Sequence, residues 1–395
     1  MAITTKEEGV WELDGVYNKQ NQGGIWGYSS TLYKLKTSGL NSIGWAGGAG
    51  TLGLNDNVSR SSPTQVGSGT NWSAVHTGSN SYQQMMALKG DNTLWTWGYG
   101  NLGRNDNVAR SSPAQIPGTN WGPFFSYGMR TAMAGKTPGQ MWVWGSNQAG
   151  QLGQNSHGPA PSGISSPIQI PGSWSDGVGG DYAMYGIKTD GTLWAWGAHY
   201  NSSLGLNEGY GYDKSSPTQI GTDGGWSKTT KGAGRLVAAI KTDGTMWAWG
   251  TGARGIAGLS PTGKASSPIQ IPGTTWSEVS TTTSEVMYGI KTDGSLWAAG
   301  SGNDQGQLGQ NNTTASTTLT QIPGTWASVH PYSNSVAAVR TNGDLFVWGS
   351  NTQGQLALND RTSRSSPTQI PGGYNPDGKG AGGTNTGTIA MIEAI

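Results

Sequence analysis

One five-residue phrase returns along this chain at nearly even intervals. It reads Leu-Trp-Thr-Trp-Gly from Leu94, Met-Trp-Val-Trp-Gly from Met141, Leu-Trp-Ala-Trp-Gly from Leu193 and Met-Trp-Ala-Trp-Gly from Met246. It weakens to Leu-Trp-Ala-Ala-Gly from Leu296 and Leu-Phe-Val-Trp-Gly from Leu345. The closing glycines, Gly98, Gly145, Gly197, Gly250, Gly300 and Gly349, lie 47, 52, 53, 50 and 49 residues apart. A degenerate copy, Gly-Trp-Ala-Gly-Gly, ends at Gly48, 50 residues before Gly98, and brings the number of units to seven. A fixed period of this size restricts the chain to a repeat architecture.

Other phrases keep the same beat. After each comes a Leu-Gly phrase, as in Gly150–Asn155 or Leu52–Asn57, and then Ser-Ser-Pro with a Gln two residues on, from Ser61, Ser111, Ser165, Ser215, Ser266 and Ser365. In the sixth unit this third phrase degrades to Thr-Thr-Leu-Thr-Gln from Thr317. A lone tryptophan follows at Trp72, Trp121, Trp174, Trp226, Trp276 and Trp326, with Tyr374 in the seventh place. An apolar run then ends in a turn, as in Ala238–Gly250, where alternating runs flank Thr-Asp-Gly. Asp and Gly tolerate positive φ, so this is a tight hairpin signal. Proline at the start of the Ser-Ser-Pro run suits the beginning of a strand, where its missing N–H breaks no ladder.

About four strands per unit and seven units predict an all-β fold, a seven-bladed β-propeller with antiparallel blades. The C-terminal Thr388–Ile395 matches Leu236–Lys241, so it starts a unit that the chain does not finish. The first unit begins near its own repeated phrase. The two halves together make one blade, which predicts a ring closed by the N- and C-terminal segments. Within the repeated phrase both tryptophans leave the strand on one face. Packed against the smaller face of a neighbouring blade, each indole buries roughly 150–250 Å². At about 25 cal/mol per Å² that is at most ~4–6 kcal/mol each. The phrase is therefore expected to hold the blades together rather than to bind a ligand.

Together the phrases at Leu193–Gly197, Asn147–Asn155, Ser165–Gly172 and Ile187–Gly191 resemble the repeat of the regulator of chromosome condensation family, over roughly residues 40 to 395. The resemblance implies a seven-bladed propeller whose ends meet within one blade. That family includes a nucleotide exchange factor for a small GTPase that docks on chromatin, but its charged and loop residues are not matched here. Glu7–Trp26 instead resembles a short module at the front of tailed-bacteriophage structural proteins, with Trp11, Tyr17 and Trp26 as candidate attachment residues. The chain divides accordingly into an attachment or capping segment at 1–30 and a propeller at 31–395.

Composition excludes several functions. The formal net charge is +1, with no clustered Lys or Arg, which argues against nucleic-acid binding. The chain has no cysteine, so disulfides, thiolate catalysis and cysteine-ligated zinc are ruled out. The N-terminal residues lack the pattern of a signal peptide, and no apolar run approaches a transmembrane length. A soluble protein made in a cytoplasm is expected.

No catalytic constellation, metal site or cofactor motif emerges from the four histidines, the glycine patterns or the carboxylates. His76 and His330 fill one repeat slot and are expected to be structural, as is Phe124. Asp56 with Arg60, Asp106 with Arg110 and Asp360 with Arg364 are expected to form exposed loop ion pairs worth about 0–1 kcal/mol. The pattern is most enlarged at Gly197–Lys214, which gathers His199, Tyr200, Tyr210 and Tyr212, and at Ser156–Gly163, which holds His157. Tyrosine joins a flat apolar ring to a polar tip, so these five residues are the candidate binding set for a sugar or a protein. The leading expectation is a non-enzymatic phage structural or tail-associated protein. It would be held to other virion proteins by residues 1–30, display loops to a host-surface glycan or protein, and reside in the virion. The alternative is a cytoplasmic regulatory adaptor or exchange-factor-like propeller. A glycan-active enzyme is disfavoured, since no carboxylate pair recurs.

Overall fold

In the computed structural model the described residues are 33–39, 52–77, 84–128, 131–158, 163–180, 182–208, 213–230, 235–252, 263–282, 284–332, 334–374, 381–383 and 388–394. They form seven four-stranded antiparallel sheets arranged as the blades of a propeller. The first blade runs through Trp72–Thr77, Met85–Lys89, Leu94–Gly98 and Arg110–Gln115 in spatial order. Five more blades repeat that order, beginning at Trp121, Trp174, Trp226, Trp276 and Trp326. A blade therefore opens at the lone tryptophan. That strand is innermost, and the apolar run typified by Leu236–Lys241 is second, not innermost.

The seventh blade is shared by the two ends of the chain, as expected. Its strands, from the centre outward, are Ala381–Gly383, Thr388–Ala394, Tyr33–Gly39 and Arg60–Gln65. The innermost strands touch in succession, and Ala381–Gly383 also meets Trp72–Thr77, which closes the ring. One sequence assignment is corrected here. Gly39 pairs with Arg60 as Gly98 pairs with Arg110, so the seventh phrase is Leu35–Gly39. Lys36 and Ser38 occupy its two tryptophan positions, and Gly44–Gly48, read as the degenerate copy, lies outside the described residues.

Both indoles of a phrase share a face, but only the second is enclosed. Trp97, Trp144, Trp196, Trp249 and Trp348 are completely buried, whereas Trp95, Trp142, Trp194 and Trp247 are half-buried. The cause is position along the strand. The first indole lies beside the Asp-Gly turn, where Trp194 Nε1 donates to Thr192 Oγ1 at 2.7 Å. There the lysine before the turn covers it. Lys188 Nζ is 3.7 Å from the Trp194 ring and 5.5 Å from Trp174, and Lys89 is 4.0 and 4.9 Å from Trp95 and Trp72. The clamp recurs at Lys136, Lys241, Lys291 and, with Arg340 between Trp326 and Phe346, in the sixth blade.

The Leu-Gly phrase is a joint to the next blade. Leu102, Leu152 and Leu204 are fully buried. Gly153, at φ +63, lies so close to the next blade's second indole that a Cβ would stand 3.1 Å from Trp196 Nε1. That indole donates to Gln151 O at 2.8 Å. Asn55, Asn105, Asn155, Asn207, Asn311 and Asn359 all adopt φ between 56 and 61, a region asparagine tolerates. Their N–H groups donate to Ser111, Ser165, Ser215, Ser266, Ser365 and Ser61 of the next blade's outer strand, at 2.6–2.9 Å. The last of these, Asn359 to Ser61, ties the sixth blade to the shared one.

Candidate functional site

Because the strands of each blade alternate in direction, the ring has two unlike ends. The lower end carries the Asp-Gly turns and the short links into each lone tryptophan. At the upper end lie the loops from innermost to second strand and the longer loops from third to outer strand. Every candidate contact residue that can be placed lies on the longer upper loops.

The three ion pairs also sit in these loops. Arg60 to Asp56, Arg110 to Asp106 and Arg364 to Asp360 measure 2.7, 2.8 and 2.6 Å and are partly exposed. The carboxylates also accept backbone N–H groups, as Asp56 does from Val58 and Asp360 from Thr362, so the pairs stiffen their turns. Hydrogen bonds from Thr362, Arg364 and Asn351 hold the Asp360 carboxyl below its usual range, against the upward pull of burial. At the lower end, the hydroxyl and N–H of the following Thr or Ser lower Asp190, Asp243 and Asp293 in the same way.

The enlarged loop of the third blade does not keep its residues together at the surface. His199 is 2% exposed, so its imidazole is an internal group rather than a surface contact. Its N–H donates to the Asp213 carboxylate at 3.0 Å, fastening the start of the loop to its end. Tyr200 does reach solvent, at 51% exposure, from a single turn of 3-10 helix at Tyr200–Ser202. Tyr182, from the neighbouring upper loop, meets its ring edge-on with centroids 5.7 Å apart. Below them the Tyr185 hydroxyl donates to Ser203 O at 2.8 Å, and Ser202 adopts φ 63, sparsely populated for a residue other than glycine. Tyr200 thus stands on a braced loop. His157 is exposed on the loop of the second blade, whose course is set by Asn147, bonded to Ser156 O and to the N–H of Leu152. Tyr210, Tyr212, Trp11, Tyr17 and Trp26 lie outside the described residues.

Tyr182 and Asp213 complete this surface and were missed by reading the sequence. Tyr182 lies in another loop, and only the fold brings it to Tyr200. Asp213 was legible as the carboxylate just before the outer strand that begins at Lys214. The inner-strand histidines are packed as structural groups. His76 lies edge-on to Phe125 of the next blade at 6.4 Å, and His330 Nε2 is 3.1 Å from Ser328 Oγ. Phe124 is buried. Burial raises Tyr127, Tyr288 and Tyr332 well above the usual tyrosine range, keeping them as neutral hydroxyls. Among the described residues no group of three His, Asp or Glu side chains is placed to hold a metal ion.

Residues 342–376 match the model of the regulator of chromosome condensation (RCC1) repeat. No curated protein matches the chain. Among solved structures, Prp20p of Saccharomyces cerevisiae, described with its binding to Gsp1p and histones, superposes with a TM-score of 0.75 at 17% identity, over 92% of each chain. The yeast RCC1 (Prp20) bound to Kap60 gives 0.74 at 17% identity over 92% of this chain and 89% of its own. Human WBSCR16 gives 0.73 at 16%, over 92% and 99%. At such identities the likeness is one of fold: the chain is a seven-bladed propeller of the RCC1 kind, carrying at 342–376 a repeat that matches that family.

Proposed function

We propose that the protein is a non-enzymatic, intracellular protein-binding propeller that acts as a regulatory adaptor, with the upper end of the third blade as its contact surface. The observation that carries this reading is Tyr200, an exposed ring on a braced loop with Tyr182 at its edge. A tyrosine held in place before binding loses little entropy on contact and serves well as an anchor. The similar propellers lend support, since Prp20p is described with protein partners. Exchange-factor-like action on a small GTPase is the narrower form of the proposal. The low net charge favours a protein over a nucleic acid as partner.

The test is affinity capture from cell extract with the intact chain and with Tyr200→Ala, quantified by mass spectrometry after confirming equal thermal stability. The expected result is a partner whose recovery falls at least ~10-fold in the variant, the loss typical of an anchor residue. A partner set unchanged by Tyr200→Ala would remove the proposed surface, and the lack of any saturable partner would remove the adaptor reading. Nucleotide release from a captured GTPase, measured with a fluorescent guanine nucleotide, decides the narrower form.

A second reading rests on Glu7–Trp26 and its resemblance to the phage module, with Trp11, Tyr17 and Trp26 as attachment residues. It places the protein on a virion with other tail proteins as partners. Mass spectrometry of purified particles distinguishes the two, because an adaptor would be absent from them.

A further inference from the structure

The blades share a set of protections for their outer strands, and one blade has lost them together. Each outer strand is a sheet edge, and an uncovered edge is a template for another strand. In six blades the edge carries proline, at Pro63, Pro113, Pro167, Pro217, Pro268 and Pro367, which removes a donor. The same six edges receive the asparagine N–H from the preceding blade. Four of them begin with a charge, at Arg60, Arg110, Lys214 or Arg364.

The fifth blade's outer strand, Ser316–Ile322, has Leu319 in the proline position and no charged residue. The fourth blade, which precedes it, carries no Leu-Gly-x-Asn phrase between Gly250 and Ser266, and Ala299 stands where the second indole would meet that phrase. Joint, indole, proline and charge are thus absent at one seam. Thr317, Thr318, Thr320 and Gln321 are exposed, whereas the other outer strands are mostly half-buried.

The register shows which groups face outward. Ile116 and Ile220 donate their N–H groups to Leu94 and Leu193 of the third strand, and Ile322 is paired with Leu296 in the same way. Antiparallel bonding alternates along a strand, so Thr320 also faces the ladder while Leu319 and Gln321 face away. Leucine at 319 therefore restores an outward donor that proline removes elsewhere.

We propose that the protein self-associates through this edge. Two copies pair antiparallel along Ser316–Ile322 about a two-fold axis at Thr320, with Leu319 and Gln321 of each copy exchanging main-chain hydrogen bonds. A second copy fits because the strand is uncharged, so self-pairing brings no like charges together, and Thr320 opposite its own copy is a favourable cross-strand pair. One strand edge hides far less than the ~800 Å² per partner of a stable interface. The dimer is accordingly weak, with a Kd in about the micromolar to millimolar range.

Sedimentation velocity over a concentration series tests this with the intact chain, Leu319→Pro and Thr320→Lys. Leu319→Pro restores the residue found in the six other blades, so the fold is retained, which a thermal melt confirms. The expected result is a concentration-dependent dimer that each variant weakens at least ~10-fold. A chain that stays monomeric to ~1 mM, or a dimer with the same Kd in Leu319→Pro, would overturn the proposal. So would a different protein bound at this edge while the chain itself stays monomeric. The surface is separate from Tyr200, so loss of one proposal leaves the other standing.

Discussion

Ile392→Ala tests whether the shared blade carries the same weight as the six continuous ones. Ile392 is completely buried, pairs with Leu35, and belongs to a core with Val66, Val75, Met85 and Trp97, which joins the two ends of the chain to the first blade. Truncation removes about three methylene equivalents at ~0.8 kcal/mol each and leaves a cavity, for a total of about 3–4 kcal/mol. Unfolding entropy of ~2.1 cal/mol/K per residue over 395 residues is roughly 0.8 kcal/mol/K. The melting temperature should therefore fall by about 4 °C in a calorimetric scan, provided the ring melts as one unit. Ile240 holds the corresponding position in the fourth blade, paired with Met246 and 2% exposed, so Ile240→Ala should give the same shift. A separate low-temperature transition in Ile392→Ala, or a shift below ~1 °C beside a full shift in Ile240→Ala, would refute the view that terminal pairing locks the ring cooperatively.

Two further outcomes follow from the lower end of the ring. Lys89→Met keeps the aliphatic stem between Trp72 and Trp95 but removes the charge, and should cost about 0.5–1 kcal/mol. Denaturant unfolding followed by tryptophan emission would measure it, and an unchanged midpoint would count against the clamp. Acid should destabilise the fold. The carboxyls of Asp91, Asp190, Asp243, Asp293 and Asp360 are lowered by their Thr, Ser or Arg partners, so their contribution is fully present above the unfolded value of about 4 and is lost as pH falls below it. A melting temperature that stays level from pH 5 to pH 3 would contradict the sign of these shifts.

Much of this architecture was legible because the chain compares itself with itself. Period, hairpin turns and alternating faces are local signals, and seven copies reinforce one another. The half-units at the two ends were enough to show that one blade is shared. Three things were not legible. The seventh copy of the phrase was misplaced, because Lys36 and Ser38 have replaced its tryptophans and only strand pairing shows Gly39 in the closing position. The two indoles of a phrase read alike but differ in burial, because a blade's end meets solvent and its middle meets the neighbouring blade. The candidate loop split into an internal His199 and an exposed Tyr200, because spacing along a loop does not set which way it turns.

The sequence alone determined the repeat, the strand count, the ring and the exclusion of cysteine chemistry. Each follows from composition or from short-range periodicity. Only the tertiary structure decided that the Leu-Gly-x-Asn phrase is a joint, since its partners Ser111, Ser165 and Ser215 lie about one repeat further along the chain. It likewise brought Tyr182 to Tyr200 and set Ser316–Ile322 apart as the edge without its joint. Such contacts are fixed by packing between blades, and packing joins residues that are distant in the sequence.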